Sequence, residues 1–539
     1  GLMTSGTGSL VMNSGTINLG TASQGMVLKN GTTIDNLGTG NILSSGAGTV
    51  GIFADNITGN INNAGAVDLS GDKSIGIYSA GSNAVTINNT GTVKVGNSSN
   101  VSDPSIGIYS GIAGNIVTNS GTVTAGDNSI GIYSNTGTVN SSGIMNIGNA
   151  GVGVYGTNAV INLNSGTINI GTNGAVGVYA ESSAVTNSLS FDAGSHNYGF
   201  ILTGGSFTNN AGTNSVIGTD SVFMYSQQGT AVTNNGNLTM TGSDNVGFYL
   251  DKDSNYVGGA VITNNGTITG TAGNNNVGIY NYGGTIDNYG TVAVGGSDIV
   301  ISKGVVDSDK SKYAVGLYGE NAAIINHSGA TVTAGYGGYG IVAKGGTGSN
   351  YGTVTTNGDY SVGMYTENGT VTNESGGVIN VTGDNAIGMG GKGTNSFITN
   401  HGTINITGND AIGMYANPGT IITNTGTINI TGNGQAFVSS DPDDPAHRVN
   451  SGSATINGVS DNVIQGLGNT YAIPTLINAG IIKTTGVLAL DGIQVLIKTD
   501  LSTRQASSDP NYDFVISGTS IVADQVTASK PIVIMPGFA

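Results

Sequence analysis

The chain has 539 residues, of which 94 are glycine and none is cysteine, with 14 basic against 31 acidic side chains for a net charge of −17. That balance, with Arg448 and Arg504 the only arginines, argues against nucleic acid or an anionic membrane surface as partner. Glycine without a Gly-X-Y period is not collagen, and a cysteine-free chain fits export through an oxidising compartment in the unfolded state.

Taken in chain order, the elements repeat. Gly1-Leu2-Met3 opens inside a repeat rather than a signal peptide, so the chain reads as a piece of something longer. A glycine–aromatic motif begins at Ile75-Gly76-Ile77-Tyr78 and returns with Tyr109, Tyr133, Tyr155 and Tyr179, at steps of 31, 24, 22 and 24 residues. It continues through Val246-Gly247-Phe248-Tyr249, Val277-Gly278-Ile279-Tyr280, Val315-Gly316-Leu317-Tyr318, Val362-Gly363-Met364-Tyr365 and Ile412-Gly413-Met414-Tyr415. Degenerate copies fill the longer gaps, among them Tyr198-Gly199-Phe200-Ile201 and Val222-Phe223-Met224-Tyr225. A period near 24 means one supersecondary unit stacked on itself.

A second motif, Asn-x-Gly-Thr-(Ile/Val), lies half a repeat away at Asn89, Asn119, Asn164, Asn288, Asn350, Asn400 and Asn424. Each apolar stretch is three to five residues long, β-branched, and bounded by Gly, Asn or Pro, which is a strand-and-turn pattern. Three short strands per repeat and no amphipathic helix predict an all-β, right-handed parallel β-helix with about 24 residues per turn. Alternation places Ile412 and Met414 on one face and Gly413 and Tyr415 on the other. It also turns Ile404 and Ile428 inward, with Thr427 facing solvent. Stacked Asn89, Asn119, Asn164 and Asn424 are expected to hydrogen-bond along the turns as a structural ladder. Tyr78, Tyr109, Tyr133, Tyr155 and Tyr179 are expected to stack outside the core.

The regular repeats run over residues 1–438, with insertions near 97–103, 250–259 and 296–312. An irregular continuation follows over 439–539, with an acidic, proline-containing loop at 441–448. These repeats resemble the passenger region of large type V autotransporter adhesins, most closely the fusobacterial outer-membrane kind. The resemblance implies display at the cell surface through a C-terminal barrel outside this chain. It also implies attachment to host cells or other bacteria, through a protein or glycan receptor.

Charge is sparse and concentrates in the insertions, the part of a rigid stack best suited to carry binding. The candidate contact residues are therefore Asp251, Lys252, Asp253, Tyr256, Asp307, Asp309, Lys310, Lys312, Asp441, Asp443, Asp444, His447 and Arg448. No metal, cofactor or catalytic residue is expected. The glycine-rich nonapeptide calcium repeat is absent. Fingerprints such as Gly151-Val152-Gly153-Val154-Tyr155-Gly156 open no helix and are chance matches in a glycine-rich chain. His327 and His401, beside the corner asparagines, read as surface variants. Two other readings remain open: a stalk that spaces a separate binding head, and a polysaccharide-acting β-helix enzyme.

Overall fold

The computed structural model describes residues 1–252, 259–302, 305–306, 310–431 and 433–439, and beyond them short strands from Arg448–Asn450 to Val533–Met535. Every helix-or-strand element among the described residues is a strand, and the fold is a parallel β-solenoid of about 18 turns with roughly 24 residues and three strands per turn. The chain divides into two compact units, Gly1–Ile262 and Thr263–Ala539.

In the first unit, one turn comprises Ile75–Ala80, Thr86–Asn89 and Thr92–Val95, and the next comprises Ile106–Ser110, Ile116–Asn119 and Thr122–Ala125. The two lie in parallel register, with Ile77 opposite Ile108, Tyr78 opposite Tyr109, Asn89 opposite Asn119 and Val93 opposite Val123. Strand alternation turns Ile87, Val93 and Val95 into a fully buried core. Like residues stacked at one strand spacing offer strand amides carbonyl partners in the neighbouring turn, which removes the orphan-donor problem of isolated strands. In the turn over residues 188–197 the third strand shrinks to a single bridge from Asp192 to Val216. Here the core is filled by Phe191, which stacks at a tilt on Phe200, 5.6 Å between ring centres.

The second unit repeats the scheme. Ile404 and Ile428 face each other in register, both fully buried, while Thr427 and Asn429 stay partly open, as the alternation requires. Past residue 439 the parallel pairing continues: Thr455–Val459 pairs with Thr427–Ile430, and Ile481–Thr485 pairs with Thr455–Val459.

Two expectations are corrected. In the glycine–aromatic strand, Gly413 and Met414 both face inward, and Ile412 is only half-buried beside the outer Tyr415. The glycine and the residue after it are both buried in the other copies as well, with Val176, Val315 and Val362 buried ahead of it too, and the glycine explains it. A Cβ on Gly107 would lie 2.5 Å from the Gly131 carbonyl oxygen and 2.9 Å from Val123 Cγ1, so the backbone itself presses against the core. The second correction concerns Asn164, which is exposed and outside the ladder. Leu163 takes the ladder position, opposite Ser141 on one side and Asn187 on the other. The corner Leu163-Asn164-Ser165-Gly166-Thr167 holds one residue more than Asn89-Thr90-Gly91-Thr92, and Gly166 absorbs the extra length at φ +92.

Candidate functional site

The invariant parts of each turn are committed to holding the stack. In the first unit, Asn13, Asn36, Asn63 and Asn89 each donate from Nδ2 to the Oδ1 of the next asparagine at 2.8–2.9 Å, the last reaching Asn119. Asn119 then donates to Ser141 Oγ at 3.3 Å, and the ladder resumes from Asn187 to Asn209 and Asn234. In the second unit the chain of amides runs unbroken from Asn264 through Asn288, Asn326, Asn350, Asn373 and Asn400 to Asn424, every step at 2.7–2.8 Å. These side chains are buried, and the ladder satisfies them. The asparagines in left-handed backbone, such as Asn56, Asn128 and Asn368, are a different set at other corners.

The tyrosines behave as expected. Phe53, Tyr78, Tyr109, Tyr133, Tyr155 and Tyr179 stack with ring centres 4.7–5.5 Å apart and planes within 14°. Acids at the rim of this sheet tie the hydroxyls down: Tyr155 donates to Glu181 at 2.9 Å and Tyr225 to Asp251 at 3.2 Å. Burial, and then the Asp251 charge, push the Tyr225 phenol up to about 12. In the second unit Tyr280 donates to Glu320, which also pairs with Lys344 at 3.4 Å.

The loops depart from this regularity. Over residues 97–103, the Ser98 hydroxyl donates to the Asn100 and Asp103 carbonyls, and Lys73 bridges to Asp103 at 2.9 Å. The Asp103 partner raises the Lys73 ammonium, and hydrogen bonds from Ser99 lower the Asp72 carboxyl. In the second unit, Ile301–Ser302 and Val305–Val306 pair antiparallel, and an antiparallel bridge joins Asp298 to Lys312. Asn274 and Asn275 donate to the two carboxylate oxygens of Asp298 at 2.7 Å and hold its carboxyl below the usual range, the Asn275 bond contributing most.

Of the residues singled out from sequence, Asp251 is fixed at the tyrosine rim, while Lys252, Lys310 and Lys312 are exposed on the two loops. Arg448 opens the short strand Arg448–Asn450. Asp253, Tyr256, Asp307, Asp309, Asp441, Asp443, Asp444 and His447 lie outside the described residues. Asp251 and Lys252 fall in one unit and Lys310 and Lys312 in the other.

One cluster was seen only in part from the sequence, where His327 and His401 read as separate surface variants. The slot after each ladder asparagine holds Tyr289, His327, Tyr351, Glu374 and His401 in five successive turns of the second unit, as the register of their neighbouring asparagines fixes. Tyr289 and His327 stack at 3.8 Å with planes 8° apart, and His327 Nε2 lies 2.9 Å from Asp287 Oδ1. Glu374 Oε1 accepts from the Ser349 hydroxyl at 3.1 Å, and His401 Nδ1 contacts Thr425 Oγ1. The signal was the variable letter of Asn-x-Gly, read down the repeats instead of along the chain.

A solenoid of this kind, with its regularity inside and its variation at loops and one corner, fits a passenger-like region. The family model described as the BigA third pectate lyase-like domain matches residues 195–442, somewhat under half of the chain. BigA is a bacterial surface-protein family, and "pectate lyase-like" names the fold family. No curated protein and no solved structure matches this chain.

Proposed function

We propose that this chain is part of the exposed passenger of a bacterial outer-membrane adhesin of the autotransporter type, which attaches the cell to host tissue or to other bacteria. The observation that carries the reading is the separation of roles within a turn. Asparagine ladder, tyrosine stack and apolar core recur along the turns, while most of the change in length and charge falls at outward positions and in loops that a pure packing role does not require. The similarity of residues 195–442 to a domain of a bacterial surface-protein family supports display outside the cell. A non-enzymatic role is supported by the engagement of acids, Asp298 through both oxygens by Asn274 and Asn275, and Glu320 by Lys344.

The stalk reading is favoured by a specific observation too, since outward positions of the third strand are mostly Thr and Asn, as in Thr267, Thr291, Thr331 and Thr353. Adherence separates the two. The Val300 amide donates to Ser311 Oγ at 2.9 Å, so the ends of that insertion already meet. Cells displaying the chain with residues 301–310 removed should keep its melting temperature and lose adherence. Unchanged adherence in this variant and in one lacking residues 441–448 would make these loops spacer decoration.

A further inference from the structure

In the first unit the corner slot after the ladder position is filled mostly by small side chains, among them Ser14, Ala64, Thr90, Ser120 and Ser142. That slot therefore needs no ring to make the bend. In the second unit it carries Tyr289, His327, Tyr351, Glu374 and His401, and the rings are open: Tyr289 is 51% and Tyr351 43% exposed. Tyrosines of the stacked column are half-buried between neighbours above and below, which is a packing role. Tyr289 is covered on one face by His327 at 3.8 Å, but more of its ring and of Tyr351 reaches solvent than in the column. A change confined to consecutive turns at one slot is what a local contact surface produces, whereas the asparagine ladder recurs along both units.

The chemistry of the slot narrows the partner. Exposed tyrosine faces offer flat, polarisable surfaces to C–H groups, and acceptors alternate with them at the same level. Asp287, at the strand position just before ladder Asn288, meets His327, and Glu374 meets Ser349, each through one carboxylate oxygen. An ionised carboxylate can accept several further hydrogen bonds. Thr331 and Thr291 hydroxyls lie beside the corner, 3.1 Å apart. A protein interface core is depleted of charge, while here each ring is flanked by an ionisable group. Tyr289 and Tyr351 are two turns apart, roughly 10 Å at one strand spacing per turn, which is room for successive sugar rings. Carboxylates on a chain of net charge −17 disfavour an anionic polymer.

We propose that this corner binds a neutral oligosaccharide, with hexose rings laid on the open parts of Tyr289 and Tyr351 and their hydroxyls donating to Asp287 and Glu374. This deepens the adhesive reading above and rests on it only for its biological setting. The test is saturation-transfer NMR on the whole chain with cello-, chito-, galacto- and mannohexaose as neutral probes and hexagalacturonate as the anionic one. At least one neutral hexamer should show transfer. Tyr289→Ala combined with Tyr351→Ala should lower it at least fivefold without moving the melting temperature, and Tyr351→Phe alone, which keeps the ring, should retain it. No transfer to any neutral hexamer, unchanged transfer to the double variant, or equal transfer to hexagalacturonate would overturn the proposal. Adherence by cells displaying the double variant, alongside lost hexamer binding, would leave the corner site standing and move the adhesive contact elsewhere. Hexamer binding by a wild-type chain that supports no adherence would instead sink the adhesive reading alone.

Discussion

Asn350 accepts a hydrogen bond from Asn326 Nδ2 at 2.7 Å and passes one on to Asn373 Oδ1 at 2.8 Å, all three side chains fully buried. One residue thus holds two turns of the solenoid together. Removing it orphans a donor on one neighbour and an acceptor on the other, each worth about 1–3 kcal/mol when left unpaired. Asn350→Ala should therefore cost about 2–6 kcal/mol of local stability. Asn164→Ala, in the same sequence motif but outside the ladder, should stay within about 0.5 kcal/mol of wild type. Thermal melts of the two variants decide it, and equal losses would show that the ladder contributes nothing.

The inward face of the third strand makes a sharper contrast. Ile428 is fully buried opposite Ile404, with Thr427 partly open one residue before it. Ile428→Asp places an unpaired carboxylate in an apolar stack and should cost several kcal/mol. Thr427→Asp should lower the melting temperature by no more than a degree or two, since its side chain reaches water. Similar losses from both would mean that the inside–outside assignment is wrong.

Gly107 tests the slip in the glycine–aromatic strand. A methyl group there meets the Gly131 carbonyl and Val123 Cγ1 together, and a backbone carbonyl in the parallel ladder cannot swing away without breaking it. Gly107→Ala should cost about 1–3 kcal/mol as overpacking. Adding Val123→Ala should recover only part of that, because the carbonyl contact remains. Full recovery would assign the constraint to the side chain alone.

The fold was legible because the two motifs recur in register, and stacking needs little else. Three strands per turn, the inward Ile428 and the stacked Tyr78 to Tyr179 follow from period and alternation. What failed to read was anything that depended on alignment between turns. Asn164 carries the right letters, yet one extra corner residue puts Leu163 in its place. Ile412 and Gly413 break simple alternation, because a residue without a side chain can face inward next to one that already does. The corner column escaped for a related reason. Tyr289, His327 and Tyr351 are 38 and 24 residues apart, and only the register of Asn288, Asn326 and Asn350 shows that they are neighbours. The loops were visible as breaks in rhythm, but which of their charges meet was not.

The tyrosine rim makes stability depend on alkaline pH. Burial, and then the neighbouring Asp251 charge, raise the Tyr225 phenol from its ordinary 10.0 to about 12, while Glu367 acts likewise, after burial, on Tyr365, also to about 12. Below pH 10 both folded and unfolded chains keep these protons, and the stabilisation is fully present. Between pH 10 and about 12 the unfolded chain releases them and the folded chain does not, so stability falls as pH rises through that window. Tyr225→Phe removes one such titration together with its hydrogen bond to Asp251. The variant should melt lower than wild type at pH 8, and its melting temperature should fall less steeply from pH 10 to 12, so that the two curves converge. Parallel curves across that range would show that Tyr225 ionises alike in both states, and that the Asp251 contact does not hold its proton.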